Sequence, residues 1–89
     1  MPVVALTAAL GRFLPAPSVR VGGATVAAAL DALFADSPGL RGYLLDDQGA
    51  LRRHVAIYVN GAPVADRARL SDPVQPADEI HVFQALTGG

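Results

Sequence analysis

The chain contains no cysteine, and all seven of its basic residues are arginine, so lysine is absent as well. The first absence excludes a disulfide framework, a thiolate zinc site and a cysteine nucleophile together. The second removes any Schiff-base amine and any side chain able to accept an isopeptide bond. Charge of either sign is scarce: charged residues make up 17 % of the chain and the net charge is -1, without the basic stripe of a nucleic-acid binder. No apolar run approaches the roughly 20 residues that a membrane span requires. In "MPVVALTAALGRFLP" the first positive charge, Arg12, follows the apolar stretch instead of preceding it, the reverse of a secretory signal. A cytoplasmic protein that binds neither membrane nor nucleic acid is the resulting expectation.

Apolar material is plentiful. Hydrophobic residues make up 52 % of the 89, enough for a core of its own but too short a chain for a second one. In "PVVALTAAL", Pro2 to Leu10, residues Val4, Leu6, Ala8 and Leu10 alternate with Val3, Ala5, Thr7 and Ala9, a period of two that predicts a first strand. The prolines of "LPAPS" make a turn, and Val19 and Val21 flank Arg20 in a short second strand that ends at Gly22-Gly23. That glycine pair is a turn and no phosphate loop, because no lysine follows it.

"ATVAAALDALFADSPG" carries the helix signal. Thr25 is placed to cap it, and Val26, Leu30, Leu33 and Phe34 form one apolar stripe. Ser37-Pro38-Gly39 is expected to stop it. Leu44 and Leu45 cover one end of the core, and Asp46 to Gly49 form a turn. In "RRHVAIYVNG", Val55, Ile57 and Val59 alternate with Ala56 and Tyr58, and Asn60-Gly61 supplies the left-handed conformations of a tight hairpin. "APVAD" is the return strand, which Pro63 assigns to a sheet edge. Leu70 and Val74 plug the core from the loop that follows. In the last strand, "EIHVFQAL", Ile80 and Val82 point one way and His81 and Phe83 the other.

Strand, strand, helix, strand, short strand, strand is an α+β order in which one mixed sheet packs on one main helix. The long crossover lets the last strand lie parallel beside the first, which is the β-grasp arrangement. The expected organisation is a domain over residues 1–84 and a flexible arm over 85–89 ending in Gly88-Gly89.

"GATVAAALDAL", "LRRHVAIYVNG" and "PADEIHVFQALTGG" resemble the helix start, the central strand with its turn, and the last strand with its tail in the MoaD/ThiS-type ubiquitin-like sulfur carriers. That family includes the small subunit of molybdopterin synthase, the thiamine-pathway sulfur carrier and a carrier of cysteine biosynthesis. Residues 38–53 resemble the longer members, although Ala56 stands where those commonly carry Asn and "LTGG" replaces a Val-Ala-Gly-Gly-like ending. The resemblance implies a carrier and substrate protein rather than an enzyme. An E1-like adenylyltransferase would activate the Gly89 carboxylate with ATP, a sulfur donor would convert the acyl adenylate to a thiocarboxylate, and a biosynthetic enzyme would accept the sulfur. Gly88 and Gly89 suit this chemistry, since only glycine lets a backbone thread a narrow site at any φ. The same activation would serve a protein modifier, and a non-covalent interaction module would use the fold without the tail. No bound cofactor or metal is implied, and a monomer is expected because tail and docking face must stay free.

Tyr58, His81 and Phe83 fall on the sheet face opposite the core set, and with Leu86 and Thr87 of the arm they are the candidate partner-binding residues. His54 and His81 lack companions at metal-ligand spacing and read as surface histidines. Asp46-Asp47 and Asp78-Glu79 read as solvated turn residues, since a carboxylate dyad needs a cleft. Arg52-Arg53 reads as an ordinary solvated pair in preference to a contact for an acidic partner.

Overall fold

The computed structural model describes residues 1–6 and 18–84. Five strands and two helices follow one another as β1 (Val3–Leu6), β2 (Ser18–Arg20), α1 (Val26–Asp36), α2 (Pro38–Leu44), β3 (Val55–Val59), β4 (Ala62–Pro63) and β5 (Glu79–Gln84). The sheet order is β2-β1-β5-β3-β4, with β1 and β5 parallel and the other neighbours antiparallel. This is the expected β-grasp arrangement, and it makes β5 the middle strand. The continuation of the first strand through Leu10, the "LPAPS" turn up to Pro17 and the arm beyond Gln84 lie outside the described residues.

Strand parity decides which side of the sheet is dry. Val4, Val55, Ile57, Ile80 and Val82 are all at most 1 % exposed and point toward α1. There they meet Val26, Ala29, Leu30, Leu33 and Phe34, the predicted helix stripe with Ala29 added. Leu70 and Val74 close the core as plugs. Among the described residues no polar or charged side chain is buried.

The start of α1 shows how the loop before β5 is held. Thr25 caps the helix, its Oγ1 accepting from the Ala28 N–H at 3.1 Å. The N–H groups of Val26 and Ala27, left without helical acceptors, donate instead to the carbonyls of Asp72 and Leu70 at 2.9 and 2.8 Å. Leu70 adopts a left-handed backbone with φ of 54° at this junction. Gly23 sits against the same helix end. Its φ is +144°, and a Cβ there would come within 2.6 Å of the Ala29 nitrogen.

Ser37-Pro38-Gly39 does end α1, the main helix, and a short second helix that the sequence reading did not include begins at once. Pro38 occupies its first turn, where the missing N–H would have had no helical acceptor. Leu40 and Leu44, one turn apart, are fully buried and hold α2 to the core. The second strand ends one residue earlier than read, at Arg20: Val21 is buried beyond its end, and its N–H donates to the Pro2 carbonyl at 2.9 Å.

Candidate functional site

The outer face of the sheet is built from the residues that strand parity turns away from α1. On β5 these are Glu79, His81 and Phe83; on β3 they are Ala56 and Tyr58. Antiparallel register sets Ala56 opposite Phe83 and Tyr58 opposite His81. Alanine is too small to cover its cross-strand neighbour, so the Phe83 ring reaches the diagonal Tyr58 instead. Their centroids are 5.6 Å apart with planes at 83°, the edge-to-face arrangement that aromatic quadrupoles favour. His81, the cross-strand partner of Tyr58, is stacked with Phe83 as well, with centroids 6.3 Å apart and planes inclined by 18°.

These three rings border a shallow depression of about 720 Å³, which Ala56 also lines, with Asn60, Gly61 and Glu79 at one end. Phe83 leaves 45 % of its surface to solvent and Tyr58 and His81 are half-buried, so the sequence-predicted outward orientation of all three holds. The remaining candidates, Leu86, Thr87, Gly88 and Gly89, lie outside the described residues.

The rim of the depression is tied down by a polar lock. Asn60 and Gly61 have φ of 51° and 86°, the left-handed pair of a tight two-residue hairpin between β3 and β4. The Asn60 amide then bridges to the start of β5: its Nδ2 donates to Asp78 at 2.8 Å and its Oδ1 accepts from the Glu79 N–H at 2.9 Å. The Gln75 backbone N–H, followed by the Asn60 side chain, holds the Asp78 carboxyl below the usual range. Asp78 is therefore a fastener rather than a merely solvated turn residue. Asp46 has the same role in its own turn, accepting from the N–H groups of Gln48 and Ala50 at 2.8 and 3.0 Å.

Among the described residues no group of three His, Cys, Asp or Glu side chains is placed to hold a metal ion. No helix among them is long and apolar enough to cross a membrane. The site consists of an exposed aromatic face on the strand that leads toward the Gly-Gly.

The ThiS family model matches residues 14–89, which spans the helices, the outer face and the terminal glycines. The chain belongs to the ThiS family. This ThiS-family chain is 36 % identical over 75 residues to Small archaeal modifier protein 1 of Haloferax volcanii, an alignment covering 81 % of this chain and 82 % of the relative. The crystal structure of that protein superposes with a TM-score of 0.83 over 99 % of this chain and 98 % of the other, at 32 % identity. CysO of Mycobacterium tuberculosis, described as an antigen, matches with a TM-score of 0.85 and 27 % identity over 97 % of this chain and all of its own, 100 %. The BexX/CysO complex of Amycolatopsis orientalis contains a chain that matches with a TM-score of 0.88 and 26 % identity, with 100 % of both chains covered. The ThiS-family protein is thus a ubiquitin-like β-grasp protein related to small modifiers and carriers.

Proposed function

We propose that this protein is a sulfur carrier. An E1-like enzyme joins the Gly89 carboxylate to AMP at the expense of ATP, releasing pyrophosphate. A sulfide-level donor then attacks the acyl carbon and AMP departs, leaving a thiocarboxylate. A biosynthetic acceptor takes the sulfur, and water attacks the acyl carbon to restore the carboxylate. The reaction belongs to the partners; this chain supplies the acyl group and the surface that presents it. The observation that supports the reading most is the ThiS-family match through residue 89, which includes Gly88-Gly89.

The outer face supplies the docking half of the proposal. Tyr58, His81 and Phe83 form a ring cluster beside a shallow depression, the kind of rigid aromatic anchor that carries binding energy at protein interfaces. Leu86 and Thr87 join the face to the glycines and would line the channel of the activating enzyme. The A. orientalis chain of the same fold is found in a complex with BexX, which favours a protein partner for this chain as well. The acceptor is a molybdopterin-forming, cysteine-forming or secondary-metabolite enzyme, met by a cytoplasmic monomer in transient complexes.

A second reading, a protein modifier joined to other proteins through the same adenylate, is favoured by the identity to Small archaeal modifier protein 1. One experiment addresses both. Intact protein from cells with a working activating enzyme is weighed by mass spectrometry, and the extract is searched for covalent adducts. A mass increase equal to one oxygen replaced by sulfur at the C-terminus supports the carrier. Adducts of higher mass without that increase support the modifier. Neither product, with no adenylate formed by the purified enzyme and ATP, removes the activation chemistry altogether.

A further inference from the structure

Val55 pairs with Gln84, so the chain leaves the sheet beside the turn that precedes β3. Arg52, Arg53, His54 and Arg67 converge there. All four border one depression with Asp46, and Arg53, His54 and Arg67 border a second with Phe83 and Gln84. Positive charge is thus concentrated at the root of the C-terminal arm, in a chain whose net charge is -1.

The cluster is built rather than incidental. Arg67 comes from a distant part of the chain, placed when its carbonyl accepts from the Leu51 N–H at 2.9 Å. Its Nη2 then donates to the carbonyls of Arg52 and Val55, both at 2.8 Å. The Arg52 Nε donates to the Gly42 carbonyl at 2.9 Å. Both guanidiniums are therefore oriented by neutral acceptors, which leave their charge uncompensated. Among the described residues the Arg53 and His54 side chains have no hydrogen-bond or ion-pair partner, and both are exposed. The one carboxylate on this ground, Asp46, turns its Oδ1 to the N–H groups of Gln48 and Ala50.

We propose that Arg53, His54 and the two anchored arginines dock an acidic protein surface at the mouth of the tail channel in the activating enzyme. The proposal rests on the carrier reading and names where the enzyme grips the arm. Chain length separates this partner from the other polyanion at hand, the ATP. Five residues, 85–89, can span at most about 17 Å when fully extended. A tail threaded far enough to put the Gly89 carboxylate on a phosphate holds the nucleotide about that far from Gln84, beyond the reach of Arg53. The complement must then be carboxylates of the protein at the channel entrance. The basic ground is continuous with the aromatic face through Ala56 and Phe83, so one partner can cover both. Such an arrangement gives an apolar centre and a charged rim, the rim steering association and setting its salt dependence.

The test is steady-state adenylate formation by the purified E1-like enzyme, with the whole protein as substrate. Arg53→Glu is expected to raise the KM for the protein about tenfold, the scale of lost electrostatic steering. Arg53→Gln should raise it less, and added salt should narrow both differences. The kcat and the KM for ATP should stay as in wild type. Arg20→Glu, on the far edge of the sheet, serves as the control and should change nothing. An unchanged KM for Arg53→Glu overturns the proposal, as does an equal effect of Arg20→Glu. A rise confined to the KM for ATP also overturns it and assigns the cluster to the nucleotide. Wild-type protein that is never adenylated overturns the carrier reading, and this proposal with it.

Discussion

Phe83 meets Tyr58 edge-on across the β3–β5 ladder, with ring centroids 5.6 Å apart, because the residue directly opposite Phe83 is alanine. One ring is thereby held upright on the outer face, half out in solvent, on the strand that runs toward the glycines. On the carrier reading, docking of this ring would set the direction of β5, the strand that precedes the glycines in the chain.

Replacing Phe83 with alanine separates docking from folding. The ring contact with Tyr58 contributes about 1 kcal/mol, a loss that a domain of several kcal/mol survives. At an interface, truncating such an anchor costs roughly 2 kcal/mol, equivalent to about a 30-fold rise in the KM for adenylation. Thermal melts and enzyme kinetics on the same preparation check both parts. A variant that melts a few degrees lower yet is activated with unchanged KM would show that the face is not used.

Acid should loosen the loop that supports β5. Asp66 accepts from the Ser71 hydroxyl and from the N–H groups of Arg69, Ala68 and Ser71, and the Ser71 hydroxyl is the largest cause of its lowered pKa. Asp72 is lowered by the N–H groups of Ala65 and Asp66, and Asp78 by those around it. For a carboxyl whose folded pKa is depressed, the stabilisation is complete above the unfolded pKa and disappears as pH falls through the folded one. The window therefore opens below about pH 4. Urea melts across that range should show falling stability in wild type. Asp66→Asn should start lower at neutral pH and decline less steeply, and parallel curves for the two proteins would refute the assignment.

Two adjacent glycines should respond oppositely to alanine. A Cβ on Gly23 would sit 2.6 Å from the Ala29 nitrogen and 2.9 Å from the Ala28 carbonyl carbon, at a φ that side chains avoid. Gly22 has no atom within 4 Å of the corresponding point. Gly23→Ala is expected to cost about 1–3 kcal/mol of unfolding free energy by denaturant titration, through backbone strain at the helix start. Gly22→Ala should lie close to wild type. Equal behaviour of the pair would mean that the turn relaxes away from α1.

Local chemistry made much of this legible in the sequence. Thr25 caps its own helix, Asn60-Gly61 makes its own turn, and the period of two in "EIHVFQ" separates Ile80 and Val82 from His81 and Phe83. Each depends on residues a few positions apart, so the reading survives without a partner element. The parallel pairing of β1 with β5 was also accessible, since a long crossover leaves few other places for a final strand. The short α2 was not: Gly39 and Gly42 lower its helix propensity and Pro38 reads as a stop, and only burial of Leu40 and Leu44 makes the turn favourable.

The sequence by itself determined where α1 begins and where the chain turns between β3 and β4, because those follow from residues a few positions apart. It also determined which side of each strand is apolar. Tertiary structure alone decided that Arg67 stands beside Arg52 and Arg53, and that Tyr58 touches Phe83. It alone brought Asn60 to Asp78, 18 positions away, and so tied the hairpin turn to the start of β5. These are contacts between segments far apart in the chain or set by strand register. Their geometry is established only when burial of the core fixes where each segment lies.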